Sequence, residues 1–172
     1  MDKRKVEKVA ALLIVAVIVI LAAFAVNLDN ARLGIRAGCG IAPRLVYPFL
    51  HVSVFHAVLN DWAFLSLIFV YDITYRRLLL AYLLAVCVPV DTLSLLSSSL
   101  AIPTVGLSGI IYVLFGSISF EVVRKRYYQM CMASYLFIGF FLPGTNALLH
   151  LWCYLCGFIV ALLNKPIKRR TL

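Results

Sequence analysis

The sequence predicts an all-α polytopic membrane protein with a single domain over residues 1–172 and both termini cytoplasmic. Of its 172 residues, 64% are hydrophobic and 13% are charged, and the mean hydropathy is +1.02. Soluble domains are about 45–50% apolar and about 25% charged, and a chain of this length has too little interior to bury the excess. This composition excludes a soluble protein and a disordered chain, and it argues against a nucleic-acid binder despite the net charge of +9.

Six apolar runs are predicted to span the membrane, since a spanning helix needs roughly 20 mostly apolar residues. They cover residues 9–26, 50–71, 78–93, 106–123, 128–142 and 147–163. The first run follows three basic residues and ends in small ones, which is also typical of a cleaved signal peptide. Because it is longer than the usual apolar stretch of about 7–15 residues in such a peptide, we expect it to be retained.

Basic residues collect on one side of the predicted membrane. Four precede the first span, two separate the second from the third, three separate the fourth from the fifth, and four follow the last. The other side holds only Arg32, Arg36 and Arg44. Cytoplasmic loops are enriched in Lys and Arg, so this distribution predicts a multi-pass protein of the cell inner (plasma) membrane. Orientation and the anionic inner leaflet then account for the positive charge.

Three polar residues in different spans are predicted to lie at one depth. Asn60, Ser108 and His150 each stand 15 or 16 residues from the first basic residue at the inner end of their span. At 1.5 Å per residue, each lies about 22–24 Å above the inner basic layer. His56 precedes Asn60 by one helical turn and shares its face. Polar groups inside a membrane are costly and therefore indicate a functional site.

The chemistry of this set is that of a serine nucleophile with a base. A serine hydroxyl attacks efficiently only when a neighbouring base takes its proton, and neutral histidine suits that task near pH 7. The backbone N–H of Ser108, the amide of Asn60 and the imidazole of His56 could stabilise an oxyanion. No acidic residue lies on the outer half of either helix that carries the pair, and Asp61 points about 100° away from Asn60. A dyad is therefore favoured over a triad.

Other interpretations of the same residues stay open. Singly, each could serve helix packing, where small and polar residues are common. His51, His56 and His150 could bind zinc with a water nucleophile, and Cys153 with Cys156 forms a C-x-x-C near His150. The five cysteines are odd in number and predict no disulfide framework. A site without a metal or cofactor is the preferred prediction.

Two motifs resemble the rhomboid intramembrane serine proteases. His51, His56 and Asn60 are similar to the H-x-x-x-x-H-x-x-x-N segment on the second helix of that family. The sequence Gly-Leu-Ser-Gly at positions 106–109 is similar to the G-x-S-G that begins its fourth helix. The resemblance runs from about residue 50 to residue 163, and His150 falls where the family carries its base.

The resemblance implies a six-transmembrane-helix rhomboid-like bundle in which Ser108 is the nucleophile and His150 the general base. It also implies that His56 and Asn60 help to form the oxyanion hole, and that Tyr112 packs against the catalytic imidazole. The glycines that it implies as supporting residues are Gly106, Gly109, Gly116 and Gly157.

The implied substrates are single-pass transmembrane proteins, which are cut in the lipid bilayer near the outer leaflet. No nucleic-acid partner is expected. The sequence departs from the family at Cys153, where a glycine usually follows the base. A catalytically inactive rhomboid-like binder of membrane proteins is the alternative, with a His/Cys metalloenzyme a more distant one.

Overall fold

The computed structural model describes the backbone of residues 3–24, 29–142 and 144–163, with side chains from residue 6 to 23 and throughout the two later ranges. Within these ranges the chain is helical and forms no strand, which confirms the predicted all-α class. The end of the first predicted span lies outside the described residues. So do the side chains of the basic residues at 3–5 and the four basic residues after residue 163.

Among the described residues, five helices of 12 residues or more carry the fold, joined by short helices and turns. The longer ones are α1 (Lys3–Phe24), α4 (Val54–Val70), α5 (Tyr75–Val86), α8 (Lys125–Gly139) and α9 (Ala147–Leu163). Among the shorter α-helices are α2 (Asn30–Leu33), α3 (Ile41–Val46), α6 (Val90–Leu93) and α7 (Ser108–Ser117). Two 3₁₀ turns, Tyr47–Phe49 and Ser98–Ala101, complete the series.

In the described part of the chain, one helix has the length and apolarity to cross a membrane unaided, the segment Val6–Ala23 of α1. A second crossing is formed if Ile41–Phe49 and Val54–Val70, which meet at an angle of 81°, are taken as one broken span. Helices α7 and α9 are apolar but shorter, at 10 and 17 residues. The count of six spans and the orientation of the termini therefore stay predictions.

Several helix boundaries differ from the predicted runs for identifiable reasons. Helix α4 begins at Val54 because the Ser53 hydroxyl accepts a hydrogen bond from the His56 backbone N–H, at 3.2 Å, and caps it. Helix α5 ends at Val86, shortly before Pro89, which cannot donate to a helical carbonyl. Helix α7 ends at Ser117, although the apolar run continues to residue 123. The residues after Ser117 form partly buried turns. Hydropathy alone does not distinguish a helix from such turns.

The centre of the bundle is α7, which packs chiefly against α9 and α5. Eight of its ten residues are buried. Its contact with α9 depends on two glycines, since a Cβ at Gly157 would overlap the backbone oxygen of Val113 and one at Gly116 would overlap that of Tyr154. Helix α4 lies against α1 and also touches α7, whereas α8 contacts mainly α9. This arrangement brings the starts of α7 and α9 to one end of the bundle, next to α4.

Segments between the helices tie this end together. Ile35 and Thr104 form an isolated antiparallel bridge, with N–H···O distances of 2.9 and 3.0 Å. Arg44 binds the Asp91 carboxylate at 2.9 Å and the Val88 carbonyl at 2.8 Å. The backbone of Gly106 donates to the Tyr47 carbonyl at 2.9 Å, which fixes the segment immediately before α7.

Candidate active site

A cavity of about 340 Å³ opens between α4, α7, α8 and α9. Its lining includes Ser108, His150, His56, Asn60 and Tyr112. The structure thus brings to one cavity Asn60, Ser108 and His150, which the sequence placed at one depth, and His56, which it placed one helical turn from Asn60. An adjoining cavity of about 150 Å³ shares His56 and extends toward the segment that precedes α7.

Ser108 and His150 form a direct hydrogen bond across the seam between α7 and α9. The distance from His150 Nε2 to Ser108 Oγ is 2.9 Å. Ser108 is the first residue of α7, so its backbone N–H has no intrahelical acceptor. His150 lies one turn into α9, where its N–H bonds to the Asn146 carbonyl at 3.1 Å. A hydroxyl, a base and a free helix N-terminus therefore meet at one point.

The face of the His150 ring is covered by an aromatic side chain. Tyr112 lies one turn below Ser108 on α7 and stacks on the imidazole with a centroid separation of 4.3 Å and an interplanar angle of 15°. This is the contact that the family resemblance implied for Tyr112. It restricts rotation of the imidazole about its χ angles while leaving Nε2 directed at Ser108.

Asn60 and His56 face the same cavity from α4. Gly106, which has a φ of +136°, passes directly beneath them: a Cβ there would lie 3.0 Å from His56 Cε1 and 3.3 Å from Asn60 Nδ2. Glycine is therefore needed at this position for both its backbone conformation and its lack of a side chain. Gly109 is similarly confined, because a Cβ would lie 2.7 Å from the Tyr47 hydroxyl oxygen.

His51 belongs to this hydrogen-bonded set, although its sequence context indicates only a motif position and a possible zinc ligand. It is 8% exposed. Asn60 Nδ2 donates to its Nε2 at 3.0 Å, and the backbone N–H of Leu107 donates to the same nitrogen at 3.3 Å. Since a backbone N–H can only donate, Nε2 is the unprotonated nitrogen. His51 therefore orients the Asn60 amide and the residue before Ser108 together.

Asn146 is a residue of the site that the sequence does not reveal. It is 4% exposed and lines both cavities. Its amide hydrogen-bonds to Ser99 and Thr104 in the segment before α7, which lie 47 and 42 positions away along the chain. It also accepts from the Leu149 backbone N–H in the first turn of α9. A polar residue such as Asn146 just before an apolar helix indicates a helix cap. The sequence does not indicate its hydrogen bonds to Ser99 and Thr104.

No group of three or more His, Cys, Asp or Glu side chains in the described ranges is arranged to hold a metal ion. His51 and His56 are near each other, with ring centroids 5.1 Å apart in an edge-to-face arrangement. Cys153 is fully buried against the neighbouring helices and Cys156 is partly buried. The zinc interpretation of these residues therefore finds no support in their placement.

These features define a helical, strongly apolar protein with a Ser–His pair in a cavity. A family-level comparison matches residues 41–170 to the Rhomboid domain. Comparison with curated proteins and with solved structures gives no significant match. Because the match covers well over half of the chain, the protein belongs to the Rhomboid family, and it is accordingly a membrane protein. Members of this family are generally intramembrane serine proteases that act on membrane proteins within the bilayer.

Proposed function

We propose that this protein is an intramembrane serine endopeptidase that cleaves transmembrane segments of membrane proteins near the outer leaflet. The observation that carries the proposal is the 2.9 Å hydrogen bond between His150 Nε2 and Ser108 Oγ inside a cavity at the start of α7. Serine and histidine at this distance have the geometry of a nucleophile and its general base.

In the proposed reaction, Ser108 Oγ attacks the scissile carbonyl carbon while its proton passes to His150 Nε2. The carbonyl π electrons move onto oxygen and form a tetrahedral oxyanion. As the C–N bond breaks, His150 returns the proton to the leaving amine, and an acyl-enzyme remains. Water then attacks the ester carbonyl carbon while His150 takes its proton, the C–Oγ bond breaks, His150 returns the proton to Ser108 Oγ, and the second product leaves with a new carboxyl group. No cofactor is required.

Three donors support stabilisation of the oxyanion. The backbone N–H of Ser108 stands at the positive end of α7. The Asn60 amide has two N–H groups, of which one is used by His51, so the other can bind substrate. His56 lies beside Asn60 on the cavity wall. Removing one such donor typically lowers kcat about 10²–10³-fold.

The substrate must present an unwound peptide to this cavity. A carbonyl inside an intact helix is already hydrogen-bonded and is shielded by its neighbours. A spanning segment that frays at its end exposes the peptide to the starts of α7 and α9. Single-pass transmembrane proteins are therefore the proposed substrates, and the bilayer is the medium in which they reach the site.

The test is cleavage of a labelled transmembrane substrate by protein reconstituted in liposomes. Ser108→Ala and His150→Ala are each expected to lose activity by at least about a thousandfold. Ser117→Ala is the matched control, because it also removes a hydroxyl from α7. That hydroxyl donates to the Leu114 carbonyl and not to His150. Cleavage by either site variant at the parental rate would show that the dyad assignment is wrong.

A fluorophosphonate probe separates the enzyme from an inactive binder of the same fold. The probe reacts with activated serines, so labelling of the parent and not of Ser108→Ala is expected. A folded parent that captures transmembrane peptides without Ser108-dependent labelling would instead identify a non-catalytic binder.

A further inference from the structure

We infer that Asn146 is a positioning residue that clamps the start of α9 to the segment entering α7 and thereby holds His150 at hydrogen-bonding distance from Ser108. The inference rests on the proposed function, because it concerns the reactivity of Ser108. It adds to the dyad a residue whose side chain hydrogen-bonds to neither Ser108 Oγ nor the His150 ring and acts through the segments that carry them.

On the α9 side, Asn146 caps the turn that carries the base. Its side-chain Oδ1 accepts from the Leu149 backbone N–H at 3.4 Å, and its backbone carbonyl accepts from the His150 N–H at 3.1 Å. The first bond satisfies an N–H group that a helix start otherwise leaves free, and the second is the first regular backbone bond of α9. The Asn146 side chain thus fixes the backbone of Leu149, the residue immediately before His150.

On the α7 side, the same amide reaches the segment before the nucleophile. Its Nδ2 donates to Thr104 Oγ1 at 3.1 Å, and its Oδ1 lies 3.5 Å from the Ser99 hydroxyl. Thr104 precedes Ser108 by four residues and is itself fixed by the backbone bridge to Ile35. The amide therefore spans the gap between two chain segments that lead to the two members of the dyad.

The hydrogen bonds of Asn146 matter for the structure because the residue is buried. Asn146 is 4% exposed, so a lost partner would leave a polar group unsatisfied rather than hydrated. The helices on either side, α7 and α9, already pack closely along their length. The hydrogen bonds of Asn146 at the starts of these two helices then set the distance between Ser108 and His150. Proton transfer depends strongly on this distance.

The experiment uses Thr104→Val, which keeps the shape of the side chain and removes the acceptor for Asn146 Nδ2 together with an exposed 3.3 Å bond from the same hydroxyl to the Ile102 carbonyl. The backbone bridge to Ile35 is independent of this hydroxyl. We expect the rate of fluorophosphonate labelling and kcat for the transmembrane substrate each to fall about tenfold, with KM changed less than twofold. Thr104→Ser restores the hydroxyl and is expected to recover most of the rate. Thr92→Val, at an exposed threonine outside the cavity, is the matched control and is expected to label at the parental rate.

A double-variant comparison tests the contact itself. Asn146→Ala combined with Thr104→Val should react no more slowly than Asn146→Ala alone, because one partner is already missing. Additive losses, a parental rate for Thr104→Val, or a raised KM with unchanged kcat would each overturn the inference. Absence of Ser108-dependent labelling in the parent would instead overturn the proposed function, so the two failures are distinguishable.

Discussion

At the scale of single residues, His150 is held on two sides. Its Nε2 faces Ser108 Oγ at 2.9 Å, and the Tyr112 ring covers one face at 4.3 Å. Tyr112 in turn lies parallel to Tyr135 of α8, with centroids 6.2 Å apart and an interplanar angle of 17°. Three rings from α9, α7 and α8 thus form a stack, and the orientation of the imidazole depends on side chains from all three helices.

The first prediction concerns this stack. Tyr112→Ala removes the ring beneath His150 and should lower the rate of substrate cleavage about two- to tenfold, because an aromatic pair contributes about 0.5–1.5 kcal/mol and 1.4 kcal/mol corresponds to a factor of ten. Tyr112→Phe keeps the ring and is expected to retain most of the activity. The measurement is kcat in liposomes. Equal losses in the two variants would assign the effect to the hydroxyl and contradict the role of the stack.

Asp61 presents the opposite situation, a buried polar group for which the described part of the chain offers no hydrogen bond. It is 4% exposed, and neither carboxylate oxygen has a hydrogen-bond partner among the residues that the structure describes. It lies on the buried face of α4 together with Ala57 and Phe64, and it is not among the residues that line the active-site cavity. A buried and uncompensated carboxyl group reduces stability.

We therefore predict that Asp61→Asn raises the free energy of unfolding by about 1 kcal/mol or more. The variant has nearly the same shape and cannot carry a charge. The contrasting variant is Asp91→Asn, which weakens bonds to Arg44 and the Gly38 N–H and should lower stability by up to about 1 kcal/mol at this half-exposed site. Thermal unfolding in detergent provides the comparison. A clear loss of stability in Asp61→Asn would show that the carboxylate has a stabilising role.

At the scale of elements, the seam between α7 and α9 determines where the dyad meets. Val113 and Ser117 on α7 face Gly157 on α9, and Gly116 faces the backbone near Tyr154. Such approach of two backbones is possible only where side chains are absent. Cys153, at the position where the family usually has glycine, is accommodated with no exposed surface. The close seam is therefore provided by Gly116 and Gly157 and tolerates the larger side chain one turn nearer to His150.

The seam gives the third prediction. Gly157→Ala should destabilise the protein by about 1–3 kcal/mol and slow labelling of Ser108, because the added methyl group forces the helices apart. Gly40→Ala is the matched control: a Cβ at Gly40 would have no neighbouring atom within 4 Å, and the φ of −72° there suits alanine. Its effect on the free energy of unfolding should stay within about 0.5 kcal/mol. Normal unfolding and labelling in Gly157→Ala would show that the seam is not tightly constrained.

The sequence predicted elements well where a cap and an apolar run coincide. The last predicted span, 147–163, has the bounds of α9, whereas the run 106–123 contains a helix of only ten residues. Counting residues from the inner basic layer grouped Asn60, Ser108 and His150, although α4 ends at Val70 and α7 at Ser117, so the counted residues do not form one continuous helix. His51 and Asn146 escaped this reasoning, since they lie before their helices and their partners are set by how the connecting segments fold.

At the scale of the whole molecule, the remaining question is which way the bundle lies in the membrane. The proposed chemistry near the outer leaflet requires the starts of α7 and α9 to face outward. The charge distribution predicts this orientation, because the loop with Arg124 lies at the opposite end of α7 from Ser108. Arg44, on the site's side of the bundle, is engaged by Asp91 and is one of only three basic residues predicted to face outward.

Single-cysteine labelling tests this orientation. Ile41→Cys and Val123→Cys, introduced separately after the five native cysteines are replaced, occupy neutral positions that are 76% and 99% exposed. Neither substitution alters the basic residues on which the prediction depends. We expect a membrane-impermeant maleimide to label Ile41→Cys on intact cells and to label Val123→Cys only after permeabilisation. The reverse pattern would place Ser108 near the cytoplasmic face. Labelling of both positions on intact cells would contradict an odd number of crossings between them, and with it the predicted arrangement of spans.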